Sequence, residues 1–295
     1  KIGQKVHPMF VGTFHSFCYK LMKDYQINNA DSSSLIDQSE AVHMILENYD
    51  DFMPFMSEEF SINPKISVVE SFIPFFNRLR DELVDIDKVD QFMLKDFYKD
   101  DTESLDQLND LLRIFPIYQN LKKENNLIDY NDMILDTFHA LKNDTRLLEK
   151  VQSKYEHLII DEFQDNNYAL NEISRLISKK NRSITVVGDD DQVIYSFRGA
   201  NAFNISTFEK TYESHPNYEM ITLETNYRSS QPILDLANHS IKHNKERKVK
   251  SLVSAGKNIE IKPMIFKGEK PEQIEFIANE IIKLNRQFSY ADMAI

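Results

Sequence analysis

The sequence predicts an α/β fold in which a parallel-sheet domain is interrupted by a helical insertion and followed by the start of a second α/β domain. Three observations predict it. Within 157–200 an apolar run, Leu158-Ile159-Ile160, precedes an amphipathic segment with Leu170, Ile173, Leu176 and Ile177 at helical spacing. A second apolar run, 184–187, follows. Strand, helix and strand within about thirty residues make the βαβ unit of a parallel sheet. Residues 31–115 instead show short helical stretches separated by acidic, Asn- and Ser-rich breaks. Residues 259–266, 272–284 and 291–295 then read as strand, helix and the start of another strand.

A chain of 295 residues with 41% hydrophobic content has room for two domains and a sizeable core. The formal charge of −12 argues against a strongly basic nucleic-acid-binding surface. The charge is unevenly spread, however. Residues 31–115 hold 20 acidic against 7 basic side chains, so the remainder of the chain is near neutral. The one cysteine, Cys18, excludes an internal disulfide and fits a reducing compartment. No apolar run approaches the ~20 residues of a membrane helix. The expectation is a soluble, cytoplasmic protein.

Taken in order, Met9-Phe10-Val11 reads as a short strand. A helix follows, with Phe14, Phe17, Cys18, Leu21 and Met22 on one face. At the junction, Thr13 and His15 can donate to a phosphate beside the helix amino terminus, and Thr13 can equally be an N-cap. Asp31-Ser32-Ser33-Ser34 reads as a linker into the insertion, whose helices are expected over 41–49, 68–83 and 105–114. Phe72, Ile73, Phe75, Phe76 and Leu79 form its expected core. The sheet domain resumes at Leu127-Ile128. Asp129 and Asp132 there suit a helix start, where acids meet the helix dipole favourably.

The chemistry concentrates at the two strand ends. Asp161 and Glu162 follow the first strand, and ligands of such sheets gather at the carboxyl edge. A doubled carboxylate there suits nucleoside triphosphate hydrolysis, with Asp161 holding Mg²⁺ and Glu162 acting as base. Strands also end in acids simply on reaching solvent. The second strand stops at Gly188-Asp189-Asp190-Asp191-Gln192, where the uncharged amide of Gln192 suits a sensor of the terminal phosphate. Tyr195, Phe197 and Arg198 come next, and aromatic rings with an interleaved Arg can stack on bases regardless of sequence. Core packing is the alternative for both rings. A strand at 219–223 then leads to Tyr227 and Arg228, and Ser229 or Ser230 is placed to cap a helix beginning near Pro232. The basic run 242–250 is a solvated loop or a phosphate contact.

DEFQD at 161–165, GDDDQVIYSFRGA at 188–200 and LETNYRSS at 223–230 together resemble motifs of the UvrD/Rep/PcrA group of superfamily 1 DNA helicases. VGTFHSF at 11–17 and LIDYNDM at 127–133 extend the resemblance over nearly the whole chain. It implies a RecA-like motor fold of the P-loop NTPase type. Residues 1–30 and 116–225 would form the first motor domain, 31–115 its insertion, and 226–295 the start of the second. It also implies ATP and Mg²⁺ as cofactors and single-stranded and duplex DNA as partners, with 3′-to-5′ translocation in repair, replication or recombination. In such helicases TFHSF touches the DNA backbone, the Tyr matching Tyr227 stacks on adenine, and the Arg matching Arg228 reaches the terminal phosphate. Val193, Phe197 and Leu170 depart from the residues common in the family. No GxxxxGK[ST] loop occurs in the sequence, so the chain is expected to be an internal piece of a longer helicase. A helicase-nuclease of the AddA or RecB type, and a non-enzymatic binding module with the motor fold, are the other function classes that fit.

Overall fold

The computed structural model describes residues 9–30, 32–181, 183–194, 204–245, 247–256 and 264–294. They fall into two units, residues 1–218 and 219–295. In the first unit, α1 (Phe14–Tyr25) starts where Thr13 caps it, the hydroxyl accepting from the Ser16 amide at 3.2 Å. Phe17, Cys18, Leu21 and Met22 are its buried face, and burial pushes the Cys18 thiol up to about 12. β1 (Ser34–Leu35) follows, so the expected Ser-rich linker ends in a strand. Next come α2 (Gln38–Glu47), α3 (Glu58–Ile62), α4 (Lys65–Asp81), α5 (Gln91–Phe97) and α6 (Thr102–Glu124). β2 (Leu127–Ile128) pairs in parallel with β1, Ser34 beside Leu127. α7 (Tyr130–Asn143), α8 (Thr145–Lys154), β3 (Leu158–Ile160), α9 (Tyr168–Ser178), β4 (Ile184–Val186) and α10 (Asn204–Tyr212) complete the unit.

Two apolar cores hold these elements. One gathers Val69, Phe72, Phe76, Ile114 and Tyr118 with α2 side chains such as Ile45. Phe72 and Phe76 are fully buried, and burial of each contributes roughly 1.5–3 kcal/mol. The other joins Phe17 and Leu21 to Met133 and Phe138 of α7 and to Ile173 and Ile177 of α9. Residues 36–118 therefore share a core of their own, which includes Phe72, Ile73, Phe76 and Leu79 of the expected stripe, with Phe75 packed against it.

The seam between the cores is ionic. Arg80, near the end of α4, reaches both oxygens of Asp129 at 2.8 and 2.7 Å and Asp132 at 2.9 Å. Lys122 donates to Asp129 at 2.7 Å and also to Asp132. The Tyr118 hydroxyl donates to Asp129 at 2.8 Å. Asp129 and Asp132 also form a capping box at the start of α7, the helix-start role their position predicts. Burial alone would raise the Asp129 carboxyl, yet the neighbouring Arg80 and Lys122 hold it well below the usual carboxylate range. Burial, with Arg80 alongside, lowers the Lys122 ammonium.

The βαβ reading of 158–186 holds: β3 and β4 run parallel, Ile160 opposite Val186, and α9 connects them. Among the described residues the pair is covered on one face, Ile160 being buried and Ile159 72% exposed. Met9-Phe10-Val11 forms no strand. Met9 and Val11 are exposed, and no strand among the described residues supplies the ladder a strand needs.

In the second unit, β5 (Thr225–Asn226) pairs in parallel with β6 (Val253–Ser254), and α11 (Gln231–Ile241) connects them. The expected strand at 219–223 is absent; Ile221 and Leu223 lie exposed, and the ladder begins two residues later. α12 (Lys270–Leu284) is a helix as expected, but its apolar face, with Ile274 and Ile277, is not buried. Residues 259–263 of the expected strand 259–266 lie outside the described residues, and 264–266 form no strand. Tyr290–Asp292 is a short 3₁₀ turn where the sequence predicts a strand start, because Ser289 and Asp292 form a capping box. No helix among the described residues is long and apolar enough to cross a membrane.

Candidate functional site

Because β3 and β4 are parallel and in register, the two acidic junctions leave the sheet at the same edge. The Val187 amide donates to the Ile160 carbonyl at 2.8 Å, and the Phe163 amide to the Val187 carbonyl at 2.9 Å. This ladder carries the pairing one step past each strand and fixes where the loops begin.

Asp161 and Glu162 are both exposed. Glu162 takes the left-handed conformation, φ 49° and ψ 44°, at the entry to the 3₁₀ turn Phe163–Asp165. A non-glycine residue there costs energy, here offset by a hydrogen bond from its amide to the Asp161 carboxylate at 3.0 Å. Asp161 thus turns the chain, and the turn presents the Glu162 carboxylate beside Gln164.

Gln164 ties the two junctions together. It is 2% exposed; its Nε2 donates to Glu162 at 2.7 Å and its Oε1 accepts from the Asp189 amide at 3.0 Å. Gly188 leaves room for this bridge, since a Cβ at that position would lie 2.8 Å from Gln164 Oε1. Asp189 in turn caps the 3₁₀ turn Asp190–Gln192, accepting from the Asp191 amide at 2.9 Å and from Gln192 Nε2 at 2.8 Å. Glu162, Gln164, Asp189 and Gln192 therefore form one hydrogen-bonded chain across the strand ends.

Three carboxylates of the second junction, Asp189, Asp190 and Asp191, place oxygens within 4.8 Å of one another. An all-oxygen donor set of this kind suits a hard divalent cation such as Mg²⁺. Asp161, the metal acid expected from sequence, is not one of the three. The Asp165 carboxyl is raised from its ordinary value by burial and by Glu162, and its Oδ1 is buried without a hydrogen-bond partner among the described residues.

Behind the loop, Asn204 of α10 donates to the Asn166 carbonyl at 2.6 Å and accepts from Asn171 at 2.9 Å. Asn167 caps α9, accepting from the Leu170 amide at 2.9 Å. Composition gave these asparagines no role; only their burial and shared partners single them out. Gln164 was within sight, as the one uncharged polar group of DEFQD.

Elsewhere in this unit, Thr13 is engaged as the α1 cap, and its hydroxyl also contacts the Ser16 hydroxyl at 3.3 Å. His15 packs edge-on against Tyr130, ring centroids 5.9 Å apart, and burial lowers its pKa. Tyr195, Phe197 and Arg198 lie outside the described residues. In the second unit, Tyr227 is 76% exposed just after β5, and the amides of Arg228 and Ser229 both donate to Asn226 Oδ1, at 2.9 and 2.7 Å. Ser230 occupies the N-cap of α11, but its hydroxyl makes no cap bond and is buried without a partner among the described residues.

The UvrD/REP helicase N-terminal domain matches residues 1–213, and the UvrD-like helicase C-terminal domain matches residues 221–295. An ATP-dependent DNA helicase PcrA of Staphylococcus aureus (strain Mu50) is 31% identical over the whole chain. The PcrA of Staphylococcus epidermidis (strain RP62A) is 29% identical, again over the whole chain. The chain spans 38% of the length of each of these relatives. With both domains matched in order along a chain whose acidic loops meet at one sheet edge, this protein belongs to the UvrD/Rep helicase family.

Proposed function

We propose that the protein carrying this chain is an ATP-dependent DNA helicase that translocates 3′-to-5′ on single-stranded DNA and unwinds duplex. The observation that carries the reading is the Glu162–Gln164–Asp189–Gln192 chain at the carboxyl edge of a parallel strand pair, where nucleotide ligands gather in such sheets. The small parallel sheets and the βαβ connection are consistent with a RecA-like motor domain.

Glu162 is the general base for the attacking water, and its hydrogen bond from Gln164 orients it. Gln192 reports the terminal phosphate to the segment that follows it. Asp161, with the neighbouring junction acids, would hold Mg²⁺, which supplies charge neutralisation of the phosphates. Tyr227 stacks on the adenine, and Arg228 stabilises charge on the transferring phosphoryl group through its rigid fork. Thr13, His15, Tyr195, Phe197 and Arg198 contact single-stranded DNA. The acidic insertion, by contrast, disfavours strong phosphate binding over its own surface.

The test is Glu162→Gln in the full-length protein. Steady-state ATP turnover should fall by about two to four orders of magnitude, while nucleotide binding is largely retained. Near-normal turnover would remove Glu162 from the reaction.

A further inference from the structure

Arg80 and Asp81 end α4, the central helix of the insertion, and each reaches into the motor domain. Asp81 Oδ1 accepts from two side-chain amides on different elements: Asn131 of α7 at 3.0 Å and Asn167, the cap of α9, at 2.7 Å. Asn167 follows the carboxylate loop directly. The same side chain therefore caps α9 through its oxygen and holds the insertion through its nitrogen. Two residues earlier stands Asp165, and one before that Gln164, the bridge to Glu162. The preceding Asn166 is itself fixed at both ends, its carbonyl by Asn204 and its side chain by Asn171 at 3.2 Å. A shift of α4 has a short, rigid route to the Glu162 carboxylate.

We propose that Asp81 is a positioning residue: by holding Asn167 it lets the insertion set the placement of the loop that carries Glu162, and so the rate of ATP hydrolysis. This rests on the reading of that loop as hydrolytic. A displacement of about 1 Å at a catalytic group is enough to change turnover a hundredfold. The insertion needs no contact with nucleotide to act this way, because only the Asp81–Asn167 bond has to move.

The bond has a direction, and that makes it testable. Asn167→Asp keeps an oxygen to cap α9, since Asp caps a helix as well as Asn, but it turns the donor facing Asp81 into a like-charged acceptor. In the full-length protein this change should lower DNA-stimulated kcat about ten- to a hundredfold with KM for ATP near that of the parent, measured well below the melting temperature, which the buried like-charged pair itself lowers. Adding Asp81→Asn reverses donor and acceptor and should restore kcat to within about threefold. A purely structural role for Asn167 predicts a lowered melting temperature with kcat of the folded protein unchanged. Full turnover in Asn167→Asp, or a loss that the double variant does not repair, overturns the proposal. Glu162→Gln is assayed alongside. If that variant is inactive, a failed exchange counts against the coupling alone; if it remains active, the hydrolytic reading of the loop has itself failed.

Discussion

Gln164 places its side-chain amide 2.7 Å from the Glu162 carboxylate while buried to 2% exposure, so its orientation is set by the protein and not by solvent. Its carbonyl is taken up by the Asp189 amide, which excludes the flipped arrangement. A glutamine fixed at both ends orients a base better than a mobile one, because no side-chain entropy remains to be lost during the reaction.

Gln164→Glu is accordingly expected to reduce ATP turnover about tenfold to a hundredfold in the full-length protein, by replacing the donor with a second carboxylate. Gly188→Ala should act in the same direction more weakly, since its Cβ would displace the Gln164 carbonyl. Steady-state kinetics on the two variants check this. Undiminished turnover in Gln164→Glu would mean that Glu162 is oriented by other contacts.

Arg80→Met should destabilise the first unit by about 3–5 kcal/mol, because Asp129 and Asp132 would keep only Lys122 as a buried cation. Urea unfolding measures it. A loss under about 1 kcal/mol would show that Lys122 and local hydrogen bonds suffice.

Asp81 and Asp136 both have their carboxyls pushed up to about 6 by burial, from an ordinary value of 3.8. Between these values the folded state binds protons that the unfolded state has lost, so both residues make stability fall as pH rises through that window. Asp129, held low by its cations, acts in the opposite sense and only at more acidic pH. Asp81→Asn should therefore raise stability relative to the parent by roughly 1–2 kcal/mol above pH ~6.5, allowing for partial exposure, with the gain fading towards pH ~4. Melting curves across that range decide it; a constant difference at every pH would contradict the assignment.

The 295-residue polypeptide alone should hydrolyse ATP negligibly, since no GxxxxGK[ST] loop occurs in it and positioning of the phosphates is most of phosphoryl-transfer catalysis. Robust DNA-stimulated turnover by the purified polypeptide would contradict this.

Much of the architecture was legible because periodicity is local. The α9 stripe, the Phe72–Phe76 core and the strand ends at Asp161 and Asp189 all follow from spacing along the chain. The helix-start role of Asp129 was legible too, yet its salt bridge to Arg80 was not, since nothing in either segment encodes the other's position. Strand bounds failed where alternation alone was used: residues 219–223 carry the apolar pattern, but the ladder forms at Thr225, where β6 offers partners. At the site, the motif drew attention to Asp161, Glu162 and the Asp189–Asp191 run. That Gln164 and Gly188 interlock, or that Asn167 serves two masters, depends on side-chain geometry that no pattern of residue types contains.

The pairing of Ser34 with Leu127 has a consequence for how such a chain can grow. The residues that open and close the insertion lie one strand spacing apart, about 4.8 Å. The whole excursion from 34 to 126, which runs past the boundary at 115 expected from sequence, therefore leaves and returns at a single doorway, the β1–β2 pair. Excising it would require almost no rerouting of the backbone. What stands in the way is charge: with Arg80 and Lys122 gone, Asp129 and Asp132 would be stranded without cations. The insertion is thus grafted by topology and locked in by electrostatics, and a lineage that discarded it would have to neutralise those two acids in the same step.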